Sequence, residues 1–148
     1  MTDDPLYRRD LLRLAADATG AGHLAAPDAA ATVHNPACGD RVTVELALKD
    51  GQVTALAHAT RACVLTQASA ALLATSAVGR DQAGLASLAA GVRAFLRGAS
   101  DSQNQLGGYE VFDGLKDHVG RHLCVLLPLE AALKALERAE ISAERPQD

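Results

Sequence analysis

Between Arg41 and Ala59 the chain alternates apolar and polar positions. Val42, Val44, Leu46 and Leu48 interleave with Arg41, Thr43, Glu45 and Ala47, and Val53, Ala55, Ala57 and Ala59 resume the alternation after Lys49-Asp50-Gly51-Gln52. A period of two marks half-buried strands, and an Asp-Gly pair between two such runs marks a tight hairpin turn. The pattern predicts a hairpin of residues 41–48 and 53–60. Elsewhere the period is helical. Residues 5–18 place Leu11, Leu14, Ala15 and Ala18 on one face, with Pro5 fit to open a helix and Gly20 to close it. A helix is expected from Leu65 to Val78, halted by Gly79, and another from an Asp81 cap to about Arg97 with the stripe Leu85, Leu88, Ala89, Val92, Phe95 and Leu96. A short helix around Glu110 to Val119 precedes a terminal one from about Cys124 to Ala139. There Leu126, Leu129, Leu133 and Leu136 face inward and Pro128 is tolerable only near the first turn. Residues 20–37 follow neither period and read as a loop with an edge strand near Ala30 to Val33. Residues 98–108 read as a polar, mobile insertion and 142–148 as a frayed tail.

The length of 148 residues suits one domain spanning 1–148. Alanine supplies 31 residues and the aromatics only four, so the core must be built from small aliphatic side chains packed closely. A net charge of −4 argues against a general nucleic-acid binder. No window is long and apolar enough for a membrane span, and Met1-Thr-Asp-Asp-Pro5 is acidic where a signal peptide is basic and then apolar, so a soluble cytoplasmic protein is expected.

The three cysteines cannot pair off, and a reducing compartment disfavours disulfides, which leaves packing, metal binding or catalysis. All three are expected at element ends. Cys38 precedes the hairpin, Cys63 follows it and Cys124 opens the terminal helix. Such positions suit metal ligands, because a rigid element holds a side chain that its end can aim. Two equal strands bring Cys38 and Cys63 to the same edge. Asp40, two residues beyond Cys38 across Gly39, can supply the fourth donor of a tetrahedral shell. Thiolates favour zinc or iron–sulfur chemistry, and the carboxylate is the most displaceable of the four. The plainer alternative is that the cysteines are small buried hydrophobes and Asp40 a turn residue.

Asn35-Pro36-Ala37-Cys38-Gly39-Asp40, then Cys63-Val-Leu-Thr-Gln67-Ala68-Ser69, then Arg121-His-Leu-Cys124-Val-Leu-Leu127 resemble, in this order, the three cysteine motifs of the iron–sulfur cluster assembly proteins IscU, SufU and the N-terminal domain of NifU. The likeness runs from about Tyr7 to Leu136. The cysteine intervals are 25 and 61 residues, and the longer one contains the polar insertion, as in SufU. There is no Leu-Pro-Pro-Val-Lys segment before Cys124. Leu123 stands where IscU-type proteins place a histidine, and Arg121 matches the SufU arrangement. The resemblance implies an α+β fold, a small antiparallel sheet with helices packed on one side. It also implies zinc held by Cys38, Asp40, Cys63 and Cys124, docking on a cysteine desulfurase of the SufS/NifS kind, and acceptance of its persulfide sulfur. Ala62 replaces the usual glycine before the second cysteine, and Val64 and Leu65 replace small hydroxyl residues, which narrows the room beside Cys63.

Three functional readings follow. A zinc-dependent sulfurtransferase would use Cys38 as acceptor with Arg121 assisting, by lowering a thiol pKa or pairing with Asp40, and would pass sulfur to downstream cluster-assembly or acceptor proteins. A scaffold would hold a transient [2Fe-2S] cluster on the same residues. A structural zinc adaptor would need no exchange, and a displaceable Asp40 counts against it. His122 is a candidate substitute ligand or proton carrier. His34, His58 and His118 are weaker candidates, better read as surface or satisfied core residues.

Overall fold

The computed structural model describes residues 8–36, 39–98 and 106–144, with side chains described as far as 140. Three strands, β1 (Ala29–Asn35), β2 (Asp40–Lys49) and β3 (Gln52–Arg61), form an antiparallel meander in that order. Val42, Val44 and Leu46 are buried and alternate with the exposed or half-buried Arg41, Thr43 and Glu45. Asp50 and Gly51 both take positive φ, 54° and 80°, as a two-residue turn matched to the strand twist requires. The edge strand is longer than the expected Ala30–Val33.

One part of the hairpin departs from its sequence pattern. Val42 pairs with Thr60, Val44 with His58 and Leu46 with Leu56, but Leu48 pairs with Val53, so one extra residue of β3 is accommodated near Thr54. That irregularity reverses the phase. Leu56 and His58 share the inner face with Val53, while Ala55, Ala57 and Ala59 lie on the other side.

Helix α4 (His122–Glu144) lies against β1 and β2, and helix α2 (Val64–Ser76) lies against β3. Two more helices complete that layer, α1 (Arg9–Asp17) packing on α2 and α3 (Gln82–Leu96) on α4. The fold is thus α+β with its helices on one side. Asp81 caps α3 by accepting from Gly84 N at 2.8 Å. The apolar stripe of α3 is buried as expected, apart from the half-buried Phe95. Several ends differ. Ala18, in the left-handed region at φ 48°, terminates α1 two residues before Gly20. Pro5 and residues 99–105 of the expected insertion lie outside the described residues. In place of a helix over 110–119 there are two 3-10 turns, Tyr109–Phe112 and Val119–Arg121. Burial of Tyr109 and Phe112 anchors this stretch, and Gly114 at φ 90° breaks it. Helix α4 starts before Cys124 and runs past Ala139 to Glu144, so Pro128 sits in its second turn, where it offers no N–H to the Cys124 carbonyl.

The segment after α1 pairs with the free edge of β3 at Ala21 and then reaches the outer face at Glu45. Gly20 O accepts from His58 N and Gly22 N donates to His58 O, both at 2.9 Å, and Glu45 accepts from Leu24 N at 2.8 Å. His58 itself is buried. Its Nε2 donates to Thr19 O at 2.9 Å, and its Nδ1 lies 2.9 Å from Thr60 Oγ1. Burial depresses its pKa below the ordinary 6.5. Below pH about 6.5 the unfolded chain therefore binds the proton first, so this group's contribution to stability is lost as pH falls. Urea unfolding at pH 7.5 and 5.5 should show a smaller acid-induced loss of stability in His58→Gln than in the wild type. Equal losses would assign the pH dependence to other groups.

Candidate metal and thiol site

Asp40, Cys63 and Cys124 come together where β2 begins, β3 ends and α4 begins. One ligand atom from each lies within 4.8 Å of the others. Each is placed by a different local rule. Asp40 continues the inward phase of Val42, Val44 and Leu46, so the strand period directs its carboxylate to the buried face, where it is 8% exposed. Cys63 is the N-cap residue of α2 and half-buried. Cys124 is the third residue of α4 and 2% exposed. Cys38 lies outside the described residues. Its flanks are ordered by the strand pair, with Asn35 opposite Asp40 and Gly39 N donating to Asn35 O at 2.8 Å. Gly39 adopts φ 75° with open space around it, a backbone state that glycine tolerates.

The two thiols are electrically unequal. The neighbouring Cys124 thiol, with the Thr66 hydroxyl and backbone N–H in the first turn of α2, favours Cys63 as a thiolate and pulls its pKa down to about 6. Cys124 keeps its proton as donor to Cys63, and with burial this drives its pKa strongly upward. The nearby Arg121 opposes that rise.

Thr66 is a contributor that the sequence reading missed. Fully buried, its Oγ1 lies 3.5 Å from Cys63 Sγ and 3.4 Å from Asp40 Oδ2, with one proton to serve either. The available signal was a hydroxyl three residues after an N-cap cysteine, on the same side of the first helical turn. Val64 is half-buried and Leu65 joins the apolar core. The histidines fall outside the cluster. His122 is buried with Nε2 donating to Leu115 O at 2.7 Å, His58 is satisfied as described, His34 is exposed, and His118 is half-buried.

The NifU-like N-terminal domain model matches residues 6–124. The chain belongs to this family. It is similar to the iron–sulfur cluster assembly scaffold protein IscU of Thermotoga maritima, at 29% identity over 107 residues covering 70% of this chain and 75% of that protein. The N-terminal NifU-like protein of Brucella abortus superposes with a TM-score of 0.84 at 32% identity, covering 93% and 96% of the two chains. A putative iron–sulfur cluster assembly scaffold protein for the SUF system from Fervidobacterium islandicum shares the fold, with a TM-score of 0.82 at 19% identity over 91% of this chain and 99% of that one.

Thr66→Val keeps the shape and removes the hydroxyl. It should weaken zinc binding roughly tenfold in a chelator competition, by loss of the group that orients Cys63 and Asp40, while circular dichroism stays unchanged. An unaltered affinity would show that Thr66 only fills space.

Proposed function

We propose that this protein serves iron–sulfur cluster assembly as a sulfur acceptor, with Cys38, Asp40, Cys63 and Cys124 as a zinc site and Cys38 as the residue that takes persulfide sulfur from a cysteine desulfurase. The observation supporting this most strongly is the convergence of a buried carboxylate and two thiols from three separate elements. The donor set fits zinc, which takes sulfur and oxygen ligands together. Bound there, zinc would hold the thiols deprotonated near neutral pH.

The chain's own residues divide the work. Asp40 is the weakest ligand and sits on a strand secured on both sides, so its carboxylate can withdraw without loss of the fold. Cys124 is buried and Cys63 is engaged with Thr66, which leaves Cys38 as the thiol for exchange. Its thiolate attacks the outer sulfur of the desulfurase Cys–S–SH. The new S–S bond forms as the desulfurase S–S bond breaks, the transferred sulfur keeps its proton, and the desulfurase cysteine leaves as a thiolate. Arg121 offers positive charge beside Cys124 and cannot itself accept sulfur. Downstream cluster-assembly or acceptor proteins receive the sulfur afterwards.

A second reading, in which the same ligands carry a transient [2Fe-2S] cluster as cargo, is favoured by the likeness to the Thermotoga maritima scaffold protein. Anaerobic purification separates the two. Zinc without acid-labile sulfide supports sulfur transfer, and equal iron and sulfide supports scaffolding.

After mixing with desulfurase and cysteine, mass spectrometry should find about 32 Da added to the Cys38 peptide, and Cys38→Ser should abolish the gain. The same mass on Cys124 would relocate the acceptor, and its absence from every cysteine would remove sulfur transfer. Asp40→Ala should alter the lifetime of bound species and leave circular dichroism unchanged. Unfolding of that variant would make Asp40 structural.

A further inference from the structure

The strand register places His34 opposite Arg41 and Arg41 opposite Arg61, so three exposed basic residues form one row across the sheet on its helix-free face. This row lies at the site end. Arg41 follows Asp40, and Arg61 precedes Cys63 by two residues. The next row, Thr32, Thr43 and Ala59, carries no charge, and its two threonine hydroxyls bond each other at 2.7 Å. The nearest acid farther along the outer face of β2 is Glu45, which is already held by His23 Nδ1 at 2.9 Å and by Leu24 N. Among the described residues neither the Arg41 nor the Arg61 side chain makes a hydrogen bond or ion pair. Like charges directly opposed across a strand pair are destabilising, so the fold itself gains nothing from this row. On another flank of the site Leu123 is 51% and Val119 70% exposed. Arginine and exposed apolar side chains are both features of protein-binding surfaces.

We propose that the Arg41 and Arg61 row docks a carboxylate-rich segment of the cysteine desulfurase and so steers its persulfide to the thiol site. This rests on the sulfur-acceptor reading above. The occupant follows from charge complementarity, since two arginines without counterions beside the thiols call for an anionic surface on whatever delivers sulfur. A nucleic acid is disfavoured by the net charge of −4 on the chain as a whole.

The test is the salt dependence of binding to the purified cognate desulfurase, comparing wild type with Arg41→Glu/Arg61→Glu. Wild-type affinity should fall as salt rises. The double variant should bind about tenfold more weakly at low salt and lose most of the salt dependence, with unchanged zinc content and circular dichroism. Arg41→Gln/Arg61→Gln, which relieves the opposed charges, should fold at least as well and bind with intermediate affinity. Arg93→Glu/Arg97→Glu makes the same change in net charge at the C-terminal end of α3 and should bind as wild type. Double-variant binding equal to wild type, or weakened no more than by Arg93→Glu/Arg97→Glu, overturns the proposal. If the wild type itself fails to bind, the sulfur-acceptor reading falls and takes the docking surface with it, an outcome visible before any variant is made.

Discussion

The candidate site turns on a carboxylate pointed inward. The strand period places Asp40 on the same face as Val42, Val44 and Leu46, and nothing about strand chemistry favours an acid there. A buried carboxylate is tolerated only with partners, because its desolvation otherwise costs several kcal/mol. Here its surroundings are the Thr66 hydroxyl and two thiols, all delivered by other elements. The start of β2, the N-terminus of α2 and the first turn of α4 meet at one point, and that meeting gives the carboxylate its partners.

The alanine-rich composition serves the same end. Ala68, Ala70 and Ala71 on α2 and Ala131, Ala132 and Ala135 on α4 are buried, and small side chains allow closely packed helices. With so little bulk available, polar contacts fix the register between the two helices. Ser69 Oγ donates to Val125 O at 2.6 Å, and the Tyr109 hydroxyl donates to Ser69 O at 2.8 Å. Val125 follows Cys124, so this buried network holds the third ligand's backbone. It also explains why the stretch around Tyr109 stays in place without forming a regular helix.

What the sequence made legible followed from strong periodicity or unambiguous turn chemistry. The hairpin, the Asp81 cap and the stripe of α3 were of this kind, because each rests on contacts between near neighbours in the chain. The expected placement at element ends is consistent with the clustering of Asp40, Cys63 and Cys124, while Cys38 lies outside the described residues. What escaped depended on tertiary partners. The irregularity near Thr54 reverses the facing of Ala55, Ala57 and Ala59, yet a run of alanines carries too little hydrophobic contrast to reveal its own phase. The helix expected over 110–119 gave way to aromatic anchoring. Thr66 looked like one helical residue among many until Cys63 and Asp40 were placed beside it. Pro128 appeared confined to a first turn, whereas the structure carries it one turn deeper because α4 begins at His122.

The inequality of the two described thiols has a consequence for how such a site can work. Cys124 is buried at the start of a long helix and near Arg121, while Cys63 caps another helix and is partly open to solvent. In the zinc site proposed above, these two thiols would form the half held by helices. The other half would lie where the chain enters β2, with Gly39 giving the backbone latitude and Asp40, the first residue of that strand, offering the donor with the least affinity for a thiophilic metal. A shell divided in this way would open on one side without moving either helix. Exchange there would be a local event that leaves the packed helical layer in place.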